Sequence, residues 1–198
     1  MIQAVDAGVP RLVLTPRDAT AAPAEEALRL WCRETGLAGA PLGDHYLRAG
    51  EDFLRLLVFL GCSPTVSFEM PDEAAIGSGS FYHVAITCLP APTLRADRMT
   101  LTPRCPACRE ALQEWRELWP PGSPAVEAEC PSCAAGLRPE VLNWRRSAGV
   151  GSAFIEVLGI HAGTVQPAPA LFERLKTVSG LEWQHFFVSE LPVDPSLH

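Results

Sequence analysis

Cys105-Pro-Ala-Cys108 and Cys130-Pro-Ser-Cys133 bracket the stretch that decides how this chain is organised. Two residues between cysteines let a tight turn point both thiolates at one ion. Two such turns, separated by the 21 residues 109–129, complete a tetrahedral four-sulfur site. Thiolates are soft donors, so the expected ion is one structural Zn2+, with iron as the lesser alternative. Four protein ligands leave no open position for substrate or water, which makes the role structural.

Both cysteine pairs carry proline directly after the first cysteine, and in this they resemble zinc-ribbon modules, whose knuckles often read Cys-Pro-x-Cys. The resemblance covers about a quarter of the chain, and it implies a metal-organised module attached to a larger domain. Rubredoxins hold iron on the same sulfur set for electron transfer, but their knuckles usually continue with glycine. Here Cys108 is followed by Arg109 and Cys133 by Ala134, which weighs against the redox reading.

Between the knuckles, Arg109–Trp119 places Leu112, Trp115, Leu118 and Trp119 at helical spacing, and Pro120-Pro-Gly ends the pattern. Trp115 and Trp119 carry two readings. They fill the small core of the ribbon or dock it on the parent domain, or they form a partner-binding face, since tryptophan is enriched at interface hot spots. Trp144-Arg-Arg146 leaves the module as a solvated linker with a tucked tryptophan, with phosphate or acidic-peptide binding as the alternative.

Composition bounds the rest. At 198 residues the chain fits one domain plus a small module, and 47% apolar residues suffice for an ordinary core. The longest strongly apolar run lies near Leu56–Cys62, far short of the roughly 20 residues a bilayer requires, so no membrane partner is expected. Seven cysteines, an odd count with paired Cys-x-x-Cys spacing, argue for metal-bound thiolates in a reducing cytoplasm rather than disulfides. Cys32, Cys62 and Cys88 fall among apolar neighbours as small buried hydrophobes. The net charge is −7, and Lys176 is the one lysine among sixteen basic residues. That arginine bias reads as a GC-rich, bacterial coding sequence. Residues 99–150 hold six arginines and six glutamates, no basic excess, which weighs against a nucleic-acid partner.

Outward from the module the pattern gives a strand at Arg11–Thr15 and a helix from Pro23 to a left-handed cap at Gly36. A second helix is expected over His45–Leu60, with Arg48–Asp52 and Glu51–Arg55 pairs and a stop at Gly61. A strand over Pro64–Glu69 follows, then a loop with Gly77-Ser-Gly79, where phosphate binding is a weak alternative because no helix follows. Phe81–Cys88 alternates as a strand, and Pro90–Pro103 reads as a linker. Phe154–Ile160 is a near-continuous apolar run, the mark of a strand covered on both faces. A last helix begins near Pro167–Pro169 and stops at Gly180, and Trp183–Val188 closes the sheet. The expected architecture is α+β: a mixed sheet with packed helices over 1–98 plus 147–198, and an inserted zinc ribbon carrying a short helix over 99–146.

No nucleophile elbow, P-loop, dinucleotide fingerprint or His-Glu-x-x-His is present. What remains are polar residues in apolar strands: Glu156, His83 and His185, with His161 just after one. A buried Glu–His pair would suit acid–base chemistry, whereas satisfied core groups are the plainer reading. The functional expectation is therefore a cytoplasmic accessory or adaptor protein that uses its metal-bound ribbon to recognise a protein partner. A small-molecule enzyme in the α+β domain is the alternative, and a nucleic-acid-binding ribbon is the third.

Overall fold

Gly149–Leu158 is the strand around which the rest is built, and every one of its residues is buried. It is β8 in a computed structural model that describes residues 8–60 and 67–188. The other strands of its sheet are β1 (Arg11–Pro16), β2 (Ala38–Pro41), β3 (Tyr46–Ala49), β5 (His83–Arg95) and β10 (Trp183–Val188). Their order is β10-β1-β8-β5-β3-β2. The α+β class holds. The sheet is antiparallel at every pairing rather than mixed, because β5 and β8 return on one another as a long hairpin with β1 and β3 on its flanks.

Helices α1 (Glu25–Glu34) and α4 (Pro169–Ser179) cover one face of this sheet. Leu28 and Cys32 from α1, with Leu171 and Leu175 from α4, pack against strand residues such as Leu14 and Val157. Side chains alternate across a strand, so the opposite face carries a second cluster of Val13, Phe154 and Phe186. Both helices stop where the sequence says: Gly36 and Gly180 have φ of 76° and 71°, which costs glycine no Cβ clash. The Glu25–Arg29 pair also forms, at 2.6 Å.

The expected helix over His45–Leu60 is a correction. The chain instead runs through β3, a four-residue α2 (Phe53–Leu56) and β4 (Leu57–Phe59), which pairs with β9 (Val165–Pro167). Gly50 is the reason. A Cβ there would lie 2.2 Å from the carbonyl oxygen of Gly36, so the chain turns at a contact that only glycine permits. The proposed Arg48–Asp52 pair is not made, and Asp52 bonds Arg55 and Arg174 instead. Ser67–Glu69 is not a strand, and the rest of the expected strand at 64–66, with Gly61 and Cys62, lies outside the described residues.

The first six residues of the expected linker Pro90–Pro103 are strand. β5 slips register between Cys88 and Thr93, then pairs with β8 again at Thr93–Gly151, Leu94–Val150 and Arg95–Gly149. Pro90 and Pro92 fall in that irregular stretch, where no ladder N–H is needed. The metal module therefore grows from the far end of the central hairpin.

Candidate metal centre

Each knuckle closes on itself by the same two backbone bonds. The N–H of Cys105 donates to Glu110 O at 2.9 Å, and that of Arg109 to Cys105 O at 3.0 Å. In the second knuckle Cys130 N–H reaches Ala135 O at 2.9 Å and Ala134 N–H reaches Cys130 O at 2.8 Å. Arg109 and Ala134 have φ of 63° and 56°. These are the positions where a knuckle usually has glycine, and here ordinary residues take the left-handed conformation anyway. The sequence departure therefore does not change the knuckle backbone. Around the second knuckle β6 (Ala128–Glu129) pairs with β7 (Gly136–Leu137), and around the first Arg104 bridges Ala111.

The four sulfurs of Cys105, Cys108, Cys130 and Cys133 all lie within 4.8 Å of one another. Two edges, Cys105–Cys133 and Cys108–Cys130, measure 3.9 Å. A tetrahedral ion with metal–sulfur bonds of about 2.3 Å needs sulfur–sulfur edges of about 3.8 Å. The donor set fits. The tetrad is positioned to bind a metal ion and is compatible with a zinc-ribbon-like site. Acidity supports the same conclusion. The N–H of Cys108, helped by that of Ala107, draws the Cys105 thiol down to about 7. At Cys108 the N–H of Glu110 lowers, but burial and the crowded sulfurs of Cys133, Cys105 and Cys130 together push the thiol up to about 12. Thiols packed this closely cannot all ionise unless a cation carries the charge.

Cys105 and Cys130 are buried against the module's own core, where Trp115 and Trp119 meet Trp144. The rings meet edge to face, with Trp115 and Trp119 at 5.1 and 6.5 Å from Trp144. Nε1–H of Trp119 donates to Val126 O, and that of Trp144 to Pro139 O, both at 2.7 Å. Leu94 and Val150 from the central hairpin join this cluster, so the module is seated on the sheet and not tethered to it loosely. Trp115 and Trp119 have no exposed surface. This corrects the expectation of a partner face at these two rings: what they bind is the rest of the module. Only Trp115–Leu118 (α3) is helical, because residues 109–111 close the first knuckle before a helix can begin.

Among the described residues His83 lies on the sheet face of Glu156, one register pair away, but each has its own partners. Glu156 is paired with Arg11 at 2.8 Å and Arg95 at 3.4 Å and accepts from Thr87 at 3.3 Å. His83 donates through Nδ1 to Phe81 O and accepts the Gly77 N–H at Nε2. Burial lowers its pKa, and it holds the Gly77–Gly79 loop closed, which also uses the amide a phosphate would need. His185 lies on the helix face against Phe172, opposite Glu156, and burial, then the Arg146 charge, bring it down to about 4. His161 is exposed beyond β8. Cys32 is fully buried and its thiol is pushed up to about 12, so it is no nucleophile. No helix among the described residues is long and apolar enough to cross a membrane. Compared with family models, curated proteins and solved structures, the chain finds no match.

Proposed function

We propose that this chain is an accessory or adaptor protein of a bacterial cytoplasm, in which zinc at the four-cysteine site organises a ribbon-like module for recognition of a protein partner. The observation that carries the reading is the closed tetrad backed by a buried tryptophan core. All four ligand positions are protein sulfurs, so the ion has no position at which to do chemistry. Zinc suits such a site, having no redox chemistry and no electronic preference beyond the tetrahedron. The tryptophans contribute by making the module a firm platform on the sheet, and any partner is met by what lies outside them.

The enzyme alternative has less to stand on with the carboxylate between two guanidiniums and His83 bonded to its own loop. The test pairs metal analysis of the purified protein with affinity capture from the native host, before and after nuclease. One zinc per chain and a stoichiometric protein partner that survives nuclease are expected. Iron with visible absorption would replace recognition by electron transfer. A metal-loaded protein that captures nothing would end the adaptor reading.

A further inference from the structure

We infer that the segment 97–104 with its neighbouring arginines is the recognition surface, and that its partner is a protein segment bearing carboxylates around an apolar anchor. The inference deepens the recognition reading just given and rests on it.

Along the sequence the module's charges are balanced and interleaved. In the fold, two separate stretches bring arginines to a segment that ends in one of its own. Arg116 of α3 donates to the carbonyls of Asp97 and Arg98, both at 3.0 Å. Arg145, from the turn that leaves the module, donates to Thr102 O at 2.8 Å. Arg104, at the segment's end, donates to Arg109 O in the first knuckle at 3.0 Å. The exit turn itself is fastened alongside: Leu101 N–H donates to Ser147 Oγ and Thr100 Oγ1 to Ser147 O, each at 2.9 Å. Glu110 and Glu114 lie instead in a groove with Pro131 and Ser132. Among the described residues, no carboxylate lies within ion-pair distance of Arg104, Arg109, Arg116, Arg145 or Arg146.

The backbone adds an independent observation. Among the described residues, four that are not glycine have positive φ, and three are Arg109, Arg145 and Arg146. The left-handed conformation costs an ordinary residue roughly 1–2 kcal/mol that glycine would not incur. At Arg109, as at Ala134, this conformation closes a knuckle, whereas Arg145 and Arg146 take it together in the exit turn beside the segment. Beside the exit turn a cleft of about 180 Å³ is lined in part by Arg145, Arg146, Asn143 and Gln184, with Glu140 also on its wall.

The centre of the surface selects a protein over a nucleic acid. Thr100 points inward, while Met99 and Leu101 on either side are 60% and 44% exposed. An apolar centre with a charged rim is the anatomy of a protein interface, where methionine and arginine are enriched. A phosphate backbone has no use for that centre. Stacking of bases is not offered either, since Trp115, Trp119 and Trp144 are buried.

The test is fluorescence anisotropy on the metal-loaded full chain with three labelled probes: a peptide of about twelve residues alternating glutamate and leucine, its glutamine-for-glutamate counterpart, and an oligothymidylate of matched charge. The glutamate peptide is expected to bind at least about tenfold tighter than either other probe. Met99→Glu and the pair Arg145→Glu/Arg146→Glu should each weaken it about tenfold or more, with unchanged zinc content and circular dichroism. Equal or tighter binding of the oligothymidylate, or undiminished peptide binding by both variants, would overturn the inference. Affinity capture separates this failure from failure of the recognition reading. A host partner retained by both variants leaves recognition standing and removes this surface, while no partner for the native chain removes both.

Discussion

Cys105→Ser is the perturbation with the most to say, because the structure predicts where its effect stops. On the proposed reading four thiolates share one zinc, and structural zinc in small modules is worth about 10–16 kcal/mol of apparent free energy. An equal share is about 3 kcal/mol for each ligand. Without the ion, little but three tryptophans and two short hairpins opposes the entropy of the module's chain. Local opening should therefore become at least about a hundredfold more frequent, at 1.4 kcal/mol for each factor of ten. Amide hydrogen exchange resolves this along the chain. Residues 104–137 should exchange faster by that factor. So should the outer pairing of Thr93–Arg95 with Gly149–Gly151, because Leu94 and Val150 belong to the tryptophan cluster. The boundary should fall at the register slip after Cys88, leaving the inner pairing of 83–88 with 153–158 within about threefold of native. Equal acceleration in 153–158 would show that module and sheet open as one unit. No acceleration in 104–137 would show that the metal does not hold the module.

Glu156→Ala should cost about 3–5 kcal/mol in urea denaturation, since it breaks a buried ion pair with Arg11; a loss under 1 kcal/mol would mean that the clamp is immaterial. His185 has its pKa lowered on folding, so the unfolded chain binds the extra proton first. Its stabilising effect is complete above about pH 6.5 and is lost as pH falls toward about 4. His185→Phe should flatten that part of the stability–pH curve relative to the native chain, and an unchanged curve would refute the assignment. Arg109→Gly should stabilise the module by up to about 1 kcal/mol by relieving a left-handed arginine, and loss of stability would mean that its side chain has a structural partner.

Several elements of the fold were legible because their signals are local. The helix at Glu25–Glu34 announces itself by a buried stripe and Gly36, and the helix at Pro169–Ser179 by its prolines and Gly180. The run 154–160 reads as doubly covered from hydrophobicity alone, and its strand is buried throughout. The failures lie where a distant contact decides. His45–Leu60 has a helical pattern, yet Gly50 must meet Gly36, and that contact between two turns is invisible to a periodicity count. Pro90 and Pro92 read as linker, yet the register slip hides both inside a strand pair with β8.

The functional residues divide in the same way. Four cysteines at Cys-x-x-Cys spacing determine the geometry of each knuckle, because it is made by bonds within 105–110 and within 130–135, so the sequence by itself determined which four sulfurs are positioned for a metal ion. It also determined that Trp115 and Trp119 matter, but not how. Whether a tryptophan meets solvent depends on what covers it, and here Trp144 and the end of the central hairpin do so. The distribution of charge is likewise tertiary. Arg116 and Arg145 alternate with glutamates along the chain and are brought to the segment that ends in Arg104 by hydrogen bonds spanning up to 43 residues. Local spacing fixes which atoms can hold an ion; only the folded surface, where distant segments meet and solvent is excluded from some of them, decides which side chains remain to meet a partner.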